Sequence, residues 1–203
     1  MTNRDVVVLE HSTHYQGYMR LDQYHLKHTV FDGSWSIDLS REVLERGHAV
    51  AVLPYDPIAD EVVLIEQFRI GGYTSPETSP WQIECVAGMI EAQQLPEDAA
   101  HRETQEETGL RILDLTPVHT YLTSPGCTSE TIQLYCGHVD ARDAGGLHGI
   151  AEEGEYIRVF TSPVEEAFSW LDAGRIQNGM TIIALQWLQL HHAEMRTKWR
   201  ANG

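Results

Sequence analysis

Three glutamates near the middle of the chain, Glu103, Glu106 and Glu107, have a spacing that lets them act together. In an α-helix, residues three or four positions apart lie on one face, so these carboxylates would be neighbours. Like-charged pairs at this spacing cost about 0.2–0.5 kcal/mol each, and a bound hard cation would offset that cost. Mg²⁺ is favoured, because it binds carboxylate oxygens and keeps water and phosphate oxygens in its shell. The alternative is an acidic helix face in solvent.

The helix that would carry these glutamates is predicted over residues 96–108. Pro96 suits the first helical position, and Glu97 and Asp98 place negative charge in the first turn. Gly109 can adopt the left-handed conformation that ends a helix. The sequence therefore predicts a short helix with clear boundaries, entered from a loop that begins at Gly88.

The segment from Gly88 to Leu110 resembles the Nudix box. That pattern reads glycine, five residues, glutamate, seven residues, Arg-Glu, an aliphatic residue, any residue, Glu-Glu, any residue, glycine and an aliphatic residue. Seven positions are in register, namely Gly88, Arg102, Glu103, Glu106, Glu107, Gly109 and Leu110. Two depart from the pattern: Gln94 replaces the first glutamate, and Thr104 replaces the first aliphatic residue. Because the Gln94 amide can bond Arg102 only without opposite charge, we expect a weaker contact and reduced activity.

Nearly the whole chain is similar to one branch of this superfamily, the bacterial ADP-ribose pyrophosphatases. The shared stretches include Arg46-Gly-His48, Glu66-Gln-Phe-Arg69, Ala87-Gly-Met-Ile90, Ser124-Pro-Gly126 and the run 182–192. In that branch a proline about fifteen residues beyond the box marks ADP-ribose specificity, and here it is Pro125. The resemblance implies Mg²⁺-dependent hydrolysis of ADP-ribose to AMP and ribose 5-phosphate, with Mn²⁺ as a possible substitute.

The resemblance also assigns roles around the metal. It implies four metal ligands: the backbone carbonyl of Ala87 and the side chains of Glu103, Glu107 and Glu155. It implies three catalytic residues: Arg102, Glu106 and Glu153. Of these, Glu153 matches the general base that takes a proton from the attacking water, and Glu106 is a ligand or a close partner of the ligands. A carboxylate on a flexible loop can close over substrate. Glu153 and Glu155 could alternatively belong to a solvated acidic loop.

Five residues are expected to contact the substrate: Tyr18, Arg41, Arg69, Pro125 and Glu130. Tyr18 offers a face for adenine, the two arginines offer forks for phosphate oxygens, and Glu130 can accept hydrogen bonds from ribose hydroxyls.

In the resembling family, the equivalents of Tyr18 and Arg41 lie in an N-terminal subdomain, and the arginine reaches the partner's active site in a swapped homodimer. For Arg41 the alternative is a surface salt bridge with Glu42 or Glu45.

Strand and helix patterns predict an α+β fold, and the resemblance specifies a Nudix α/β/α sandwich with an N-terminal antiparallel β subdomain. Residues 1–45 would form the subdomain that mediates dimerisation, with Asp32-Gly33 as a hairpin turn between two strands, and residues 46–203 would form the hydrolase domain. Loops are expected over 71–80 and 140–155. Helices are expected over 163–173 and 179–199.

Composition limits the remaining possibilities. A net charge of −16 argues against a basic nucleic-acid-binding surface and against binding to anionic membranes. Three cysteines without framework spacing and no apolar leader suggest the cytoplasm. Two other functions stay open: hydrolysis of another nucleoside diphosphate sugar such as GDP-mannose, and a degenerate sensor that binds ADP-ribose without cleaving it.

Overall fold

In a computed structural model of the chain, the described residues are 5–150, 152 and 154–201. They form two compact units. The first contains the described residues up to His48 together with Tyr121–Ile132, and the second contains Ala49–Thr120 and the described residues from Gln133 onwards.

The first unit is built on a three-stranded antiparallel sheet of order β1-β2-β3. Its strands are β1 (Val6–Gln16), β2 (Arg20–His28) and β3 (Leu39–Glu45). This confirms the antiparallel N-terminal sheet that the alternating sequence predicts. The chain turns between β1 and β2 at residues 17–19.

The predicted turn at Asp32-Gly33 lies between β2 and β3, with Gly33 at φ +86° and the Val30 N–H donating to the Ser34 carbonyl at 2.8 Å. The turn therefore lies between two paired antiparallel strands, as predicted, although β3 begins only at Leu39. The reason is local: the Ser36 hydroxyl accepts the backbone N–H of His28 at 3.1 Å, so a side chain takes the place of a backbone partner in the ladder.

The second unit contains an eight-stranded sheet with helices, which confirms the α+β prediction. Along its main path the order is β10-β11-β5-β4-β9-β8, while β6 pairs with β5 and β7 with β4. The strands are β4 (Ala49–Asp56), β5 (Glu61–Phe68), β6 (Trp81–Glu84), β7 (Val86–Met89), β8 (Asp114–Leu122), β9 (Thr131–His138), β10 (Gly146–His148) and β11 (Ile157–Pro163).

The helices are α1 (Ile70–Thr74), α2 (Pro96–Thr108), α3 (Val164–Asp172) and α4 (Gly179–Arg200). Helix α2 has the predicted bounds, and Gly109 ends it at φ +72°. Helix α1 overlaps the predicted loop 71–80, and strand β10 lies inside the predicted loop 140–155, because elements of five and three residues are too short to produce a periodic pattern. No helix in the described part of the chain is long and apolar enough to cross a membrane.

Helix α2 is fixed by its small residues. Ala99 and Ala100 are fully buried in one apolar cluster that includes Val50 and Val52 of β4 and Val86 of β7. Alanine side chains allow the helix to approach the sheet closely. The packing therefore holds the glutamates of α2 at a defined position beside β7.

Candidate active site

Gly88 lets the α2 glutamates reach the backbone of β7. It pairs with Val50 of β4 in the antiparallel register of β4 and β7. A Cβ atom at residue 88 would overlap the carboxyl group of Glu103. Only glycine can therefore occupy this position while the Glu103 carboxylate lies directly against the strand.

Glu107, one turn further along α2, is almost completely buried, with 4% of its surface exposed. Its Oε2 accepts a hydrogen bond from the backbone N–H of Ala87 at 3.2 Å. Burial raises the pKa of Glu107 well above its ordinary value; the Ala87 N–H opposes this, and the charges of Glu103 and Glu155 raise the pKa further. Both of these charges therefore act on the buried Glu107 carboxyl group.

Glu103 shares this environment. Burial raises its pKa, the Arg102 guanidinium lowers it, and the charges of Glu106 and Glu155 raise it again, with a net upward shift. The charge of Glu155 thus acts on both Glu103 and Glu107, and we call these three predicted side-chain ligands the carboxylate cluster. Glu106 lies at its exposed edge, with about half of its side chain accessible.

Arg102 organises the same helix face. Its Nη1 lies 2.9 Å from an oxygen of Glu103 and 2.9 Å from an oxygen of Glu106. Its Nη2 donates to the carbonyl of Met89 at 3.0 Å and to Oε1 of Gln94 at 3.3 Å. The expected contact between Gln94 and Arg102 is therefore present. The buried Nε of Arg102 has no partner among the described residues.

Arg69, predicted to bind substrate, forms an ion pair with Glu84 of β6. Its Nη2 and Nε lie 2.7 and 3.0 Å from Oε2 of Glu84, whose surface is 1% exposed. Two more donors reach this carboxylate: Nε2 of Gln67 at 3.3 Å and Nδ2 of Asn178 at 2.8 Å. Burial opposes the charge on Arg69, but Glu84, followed by more distant carboxylates of the cluster, raises its pKa.

Sequence reasoning missed Glu84, Gln67 and Asn178. One signal was available: Glu84 stands in a predicted strand between apolar residues, and a fully buried glutamate almost always has a charged partner. The identity of its partners could not be predicted, because Asn178 is 94 residues away in sequence.

Glu153, predicted as the general base, lies outside the described residues. Within 5–150, 152 and 154–201, no three His, Cys, Asp or Glu side chains converge closely enough to hold a metal ion by themselves. The predicted ligand set, which also includes the backbone carbonyl of Ala87, stays a prediction.

In the first unit, Tyr18 lies in the turn between β1 and β2 and is 86% exposed. Arg41 lies in β3, where it is paired with Tyr24, whereas the last residue of β3, Glu45, is paired with Arg20. Four residues of strand correspond to about 13 Å, so Arg41 is well separated from the turn that carries Tyr18. The Arg41 side chain donates to the carbonyl of Ser40 at 2.7 Å.

Pro125 and Glu130 lie on the segment of the first unit that follows β8. Pro125 is exposed in a turn closed by hydrogen bonds from the N–H groups of Cys127 and Thr128 to the carbonyl of Ser124, each 3.0 Å. Glu130 is 8% exposed, and its Oε1 is 3.2 Å from Nε of Arg46. The Glu130 carboxylate is therefore both buried and paired, and its contact with substrate hydroxyls stays a prediction.

Similarity to known proteins identifies the family of this chain. A sequence profile described as the NUDIX domain matches residues 45–202, more than three-quarters of the chain. The chain belongs to the NUDIX family. The ADP-ribose pyrophosphatase of Escherichia coli (strain K12) is 48% identical to this NUDIX chain over 195 residues, 96% of the chain and 93% of that protein.

Two further relatives extend the comparison. The ADP-ribose pyrophosphatase of Haemophilus influenzae is 42% identical over 201 residues, 98% of this chain and 93% of that protein. The GDP-mannose pyrophosphatase of Yersinia enterocolitica is 32% identical over 162 residues, 80% of this chain and 84% of that protein. The NUDIX chain is thus more similar to these ADP-ribose pyrophosphatases than to this GDP-mannose pyrophosphatase.

Thr104 is the other departure from the NUDIX box. Its side chain is fully buried in α2, and its hydroxyl has no hydrogen-bond partner in the described part of the chain. An unpaired buried hydroxyl costs about 1–3 kcal/mol. This NUDIX helix therefore carries a cost that the usual aliphatic residue would not impose.

Proposed function

We propose that the chain hydrolyses the pyrophosphate of ADP-ribose to AMP and ribose 5-phosphate with Mg²⁺, for which Mn²⁺ is a possible substitute. The observation that carries this proposal is the pair Glu103 and Glu107, the first partly and the second almost completely buried, held against Gly88 and Ala87 of a NUDIX domain. The names of the relatives with 42–48% identity supply the substrate.

The residues present suit a divalent cation in charge and donor type. Burial raises the pKa values of both Glu103 and Glu107, and the opposing effects of Arg102 and of the Ala87 N–H compensate their charged forms only in part. A cation beside them would supply the remaining compensation. We propose as ligands the side chains of Glu103, Glu107 and Glu155 and the carbonyl of Ala87. When bound, Mg²⁺ would neutralise charge that develops on the pyrophosphate oxygens and acidify the attacking water.

The other proposed roles belong to the protein's own side chains. Glu153 takes the proton from the attacking water, Arg102 holds Glu103 and Glu106 in place, and Arg69 binds phosphate oxygens.

For the first unit we propose that Tyr18 stacks on adenine, Arg41 binds phosphate, Glu130 accepts hydrogen bonds from the ribose hydroxyls, and Pro125 shapes the ADP-ribose pocket. The exposure of Tyr18 supports a surface that a ligand can reach.

The first experiment measures AMP release from ADP-ribose by the purified chain, with Mg²⁺ and with chelator. We expect AMP only with the metal. Glu153→Gln should abolish turnover and leave ADP-ribose binding intact, whereas Glu152→Gln, which removes the same charge one residue earlier, should retain turnover. Binding of intact ADP-ribose by wild type without release of AMP would favour the sensor function instead.

GDP-mannose is the second candidate substrate, because a GDP-mannose pyrophosphatase is 32% identical over 80% of the chain. We expect a higher kcat/KM for ADP-ribose when both are assayed under the same conditions. The reverse order would replace the proposed substrate and retain the reaction type.

We further propose a homodimer in which Arg41 serves the partner's active site, and a cytoplasmic location. The free thiols of Cys85, Cys127 and Cys136 support a reducing compartment. Mixing Arg41→Ala protein with inactive Glu153→Gln protein should restore activity if the arginine acts across subunits, because a mixed dimer contains one site with both residues intact. No restoration after subunit exchange would exclude that arrangement.

A further inference from the structure

Glu84 is a buried carboxylate that none of the roles proposed above uses. It lies at the end of β6, is 1% exposed, and accepts hydrogen bonds from Gln67, Arg69 and Asn178. Breaking a buried ion pair leaves an uncompensated charge in the interior, which is strongly unfavourable. Arg69 is therefore strongly held in its contact with Glu84.

This contact determines which part of Arg69 remains available. Glu84 engages Nε and Nη2, while Nη1 has no hydrogen-bond partner among the described residues. The Arg69 side chain is 42% exposed. The charges of Glu107 and Glu155 also act on Arg69, so the guanidinium lies within electrostatic range of the carboxylate cluster. One edge is thus fixed inside the protein, and the other can reach a ligand.

The start of helix α4 holds Glu84 from the other side. Asn178 donates to Oε1 of Glu84 at 2.8 Å, and its own Oδ1 accepts the N–H of Thr181 as the N-cap of α4. The hydroxyl of Thr181 accepts the N–H of Cys85 at 2.8 Å. Both backbone and side chain at the end of β6 are therefore tied to α4.

We propose that Glu84 is a positioning residue, which fixes the guanidinium of Arg69 so that its free edge binds a phosphate oxygen of the substrate. The inference rests on the proposed function. Glu84 acts through Arg69 and does not touch the reacting atoms. Its loss should weaken substrate binding more than it slows the chemical step, because a mobile arginine must be ordered each time substrate binds.

Steady-state kinetics of Glu84→Gln test this role. We expect the KM for ADP-ribose to rise about tenfold, with kcat changed less than about threefold. Glu66→Gln is the matched control, because Glu66 accepts a hydrogen bond from Arg158 at 2.9 Å on the neighbouring strand β5, outside the carboxylate cluster. The control should keep the wild-type KM. A KM for Glu84→Gln within about twofold of wild type would overturn the proposal.

A double substitution separates positioning from general damage. Arg69→Ala alone should raise KM, and adding Glu84→Gln to it should raise KM no further, because nothing is left to position. If the two substitutions instead multiply their separate effects on KM, Glu84 acts independently of Arg69. If Glu84→Gln does not fold, Glu84→Asp is the replacement variant, because it keeps the charge and should give a smaller rise in KM. If Arg69→Ala raises KM but Glu84→Asp leaves it unchanged, the positioning role of Glu84 is contradicted.

NMR of the Arg69 side chain distinguishes this inference from the proposed function. The ¹⁵Nε–H resonance of Arg69 should be sharp and protected from exchange in wild type, and broadened or lost in Glu84→Gln. If wild type releases no AMP but this difference is found, the proposed reaction fails and the positioning holds. If wild type releases AMP and the resonance is unchanged by Glu84→Gln, the positioning fails and the reaction holds.

Discussion

Gln94→Glu restores the residue usual in the NUDIX box, and the geometry of Arg102 predicts its effect. The Gln94 oxygen accepts a hydrogen bond from Nη2 of Arg102 at 3.3 Å and another from the N–H of Glu91 at 3.1 Å. A glutamate could keep both contacts and add opposite charge to the first. Charge-assisted hydrogen bonds are roughly twice as strong as neutral ones.

The gain is limited by solvent and by nearby charges. Arg102 is 28% exposed, so a new ion pair should contribute about 0.5–1 kcal/mol. Repulsion from Glu91, Glu103 and Glu106 opposes it, since all three already lie within 4.0 Å of the same guanidinium. A firmer Arg102 should hold Glu103 more rigidly against Gly88. We expect kcat/KM to rise about two- to fivefold, with less Mg²⁺ needed for half-maximal rate.

The assay measures AMP release from ADP-ribose across a Mg²⁺ titration, with Gln93→Glu as control. Gln93 is the adjacent residue and is exposed, so replacing it with glutamate adds the same charge without a contact to Arg102. The control should leave kcat/KM unchanged. An unchanged or lower kcat/KM for Gln94→Glu, or an equal gain in the control, would refute the reasoning.

Three further predictions concern the second unit. Gly88→Ala should lower kcat/KM at least about tenfold and weaken the Mg²⁺ response, because the new Cβ displaces the Glu103 carboxylate; wild-type kinetics would refute it. With chelator, the stability contributed by Glu107 is present below the ordinary carboxyl pKa and lost as pH rises through its raised value. Glu107→Gln should therefore melt at a higher temperature than wild type at pH 7, with the difference shrinking toward pH 4; thermal unfolding measures both. Trp199→Phe should lose about 1–3 kcal/mol in urea unfolding, because a fully buried indole that donates to Asp114 at 2.7 Å is replaced by a smaller ring.

Helix α2 was predictable because its boundaries are set by local chemistry. Proline at the first position and glycine in the left-handed conformation act within one turn, and α2 has the predicted bounds. The Gly33 turn was predictable for the same reason. The start of β3 at Leu39 was not predictable, since strand pairing depends on partners elsewhere in the chain.

Short elements were missed because tertiary contacts create them. Strand β10 is three residues long, contains Gly146, and exists by pairing with β11, which supplies its register from Val159 to Ile157. The five residues of α1 have no side-chain cap at the N-terminus. Nothing in the sequence of α1 or of β10 could distinguish these elements from a loop.

The carboxylate cluster shows where sequence information about a site ends. The spacing of Glu103 and Glu107 places them on one face, but cannot tell an exposed acidic helix from a buried pair. Burial is decided by contacts outside the helix: Ala99 and Ala100 bring α2 close to the sheet, and Gly88 leaves room for one carboxylate. Because burial raises both pKa values, the packing that stabilises α2 opposes the ionised form of its glutamates. A bound cation would compensate the ionised carboxylates without a change in this packing. Metal binding should therefore stabilise this chain more as the pH rises through the raised pKa values of Glu103 and Glu107.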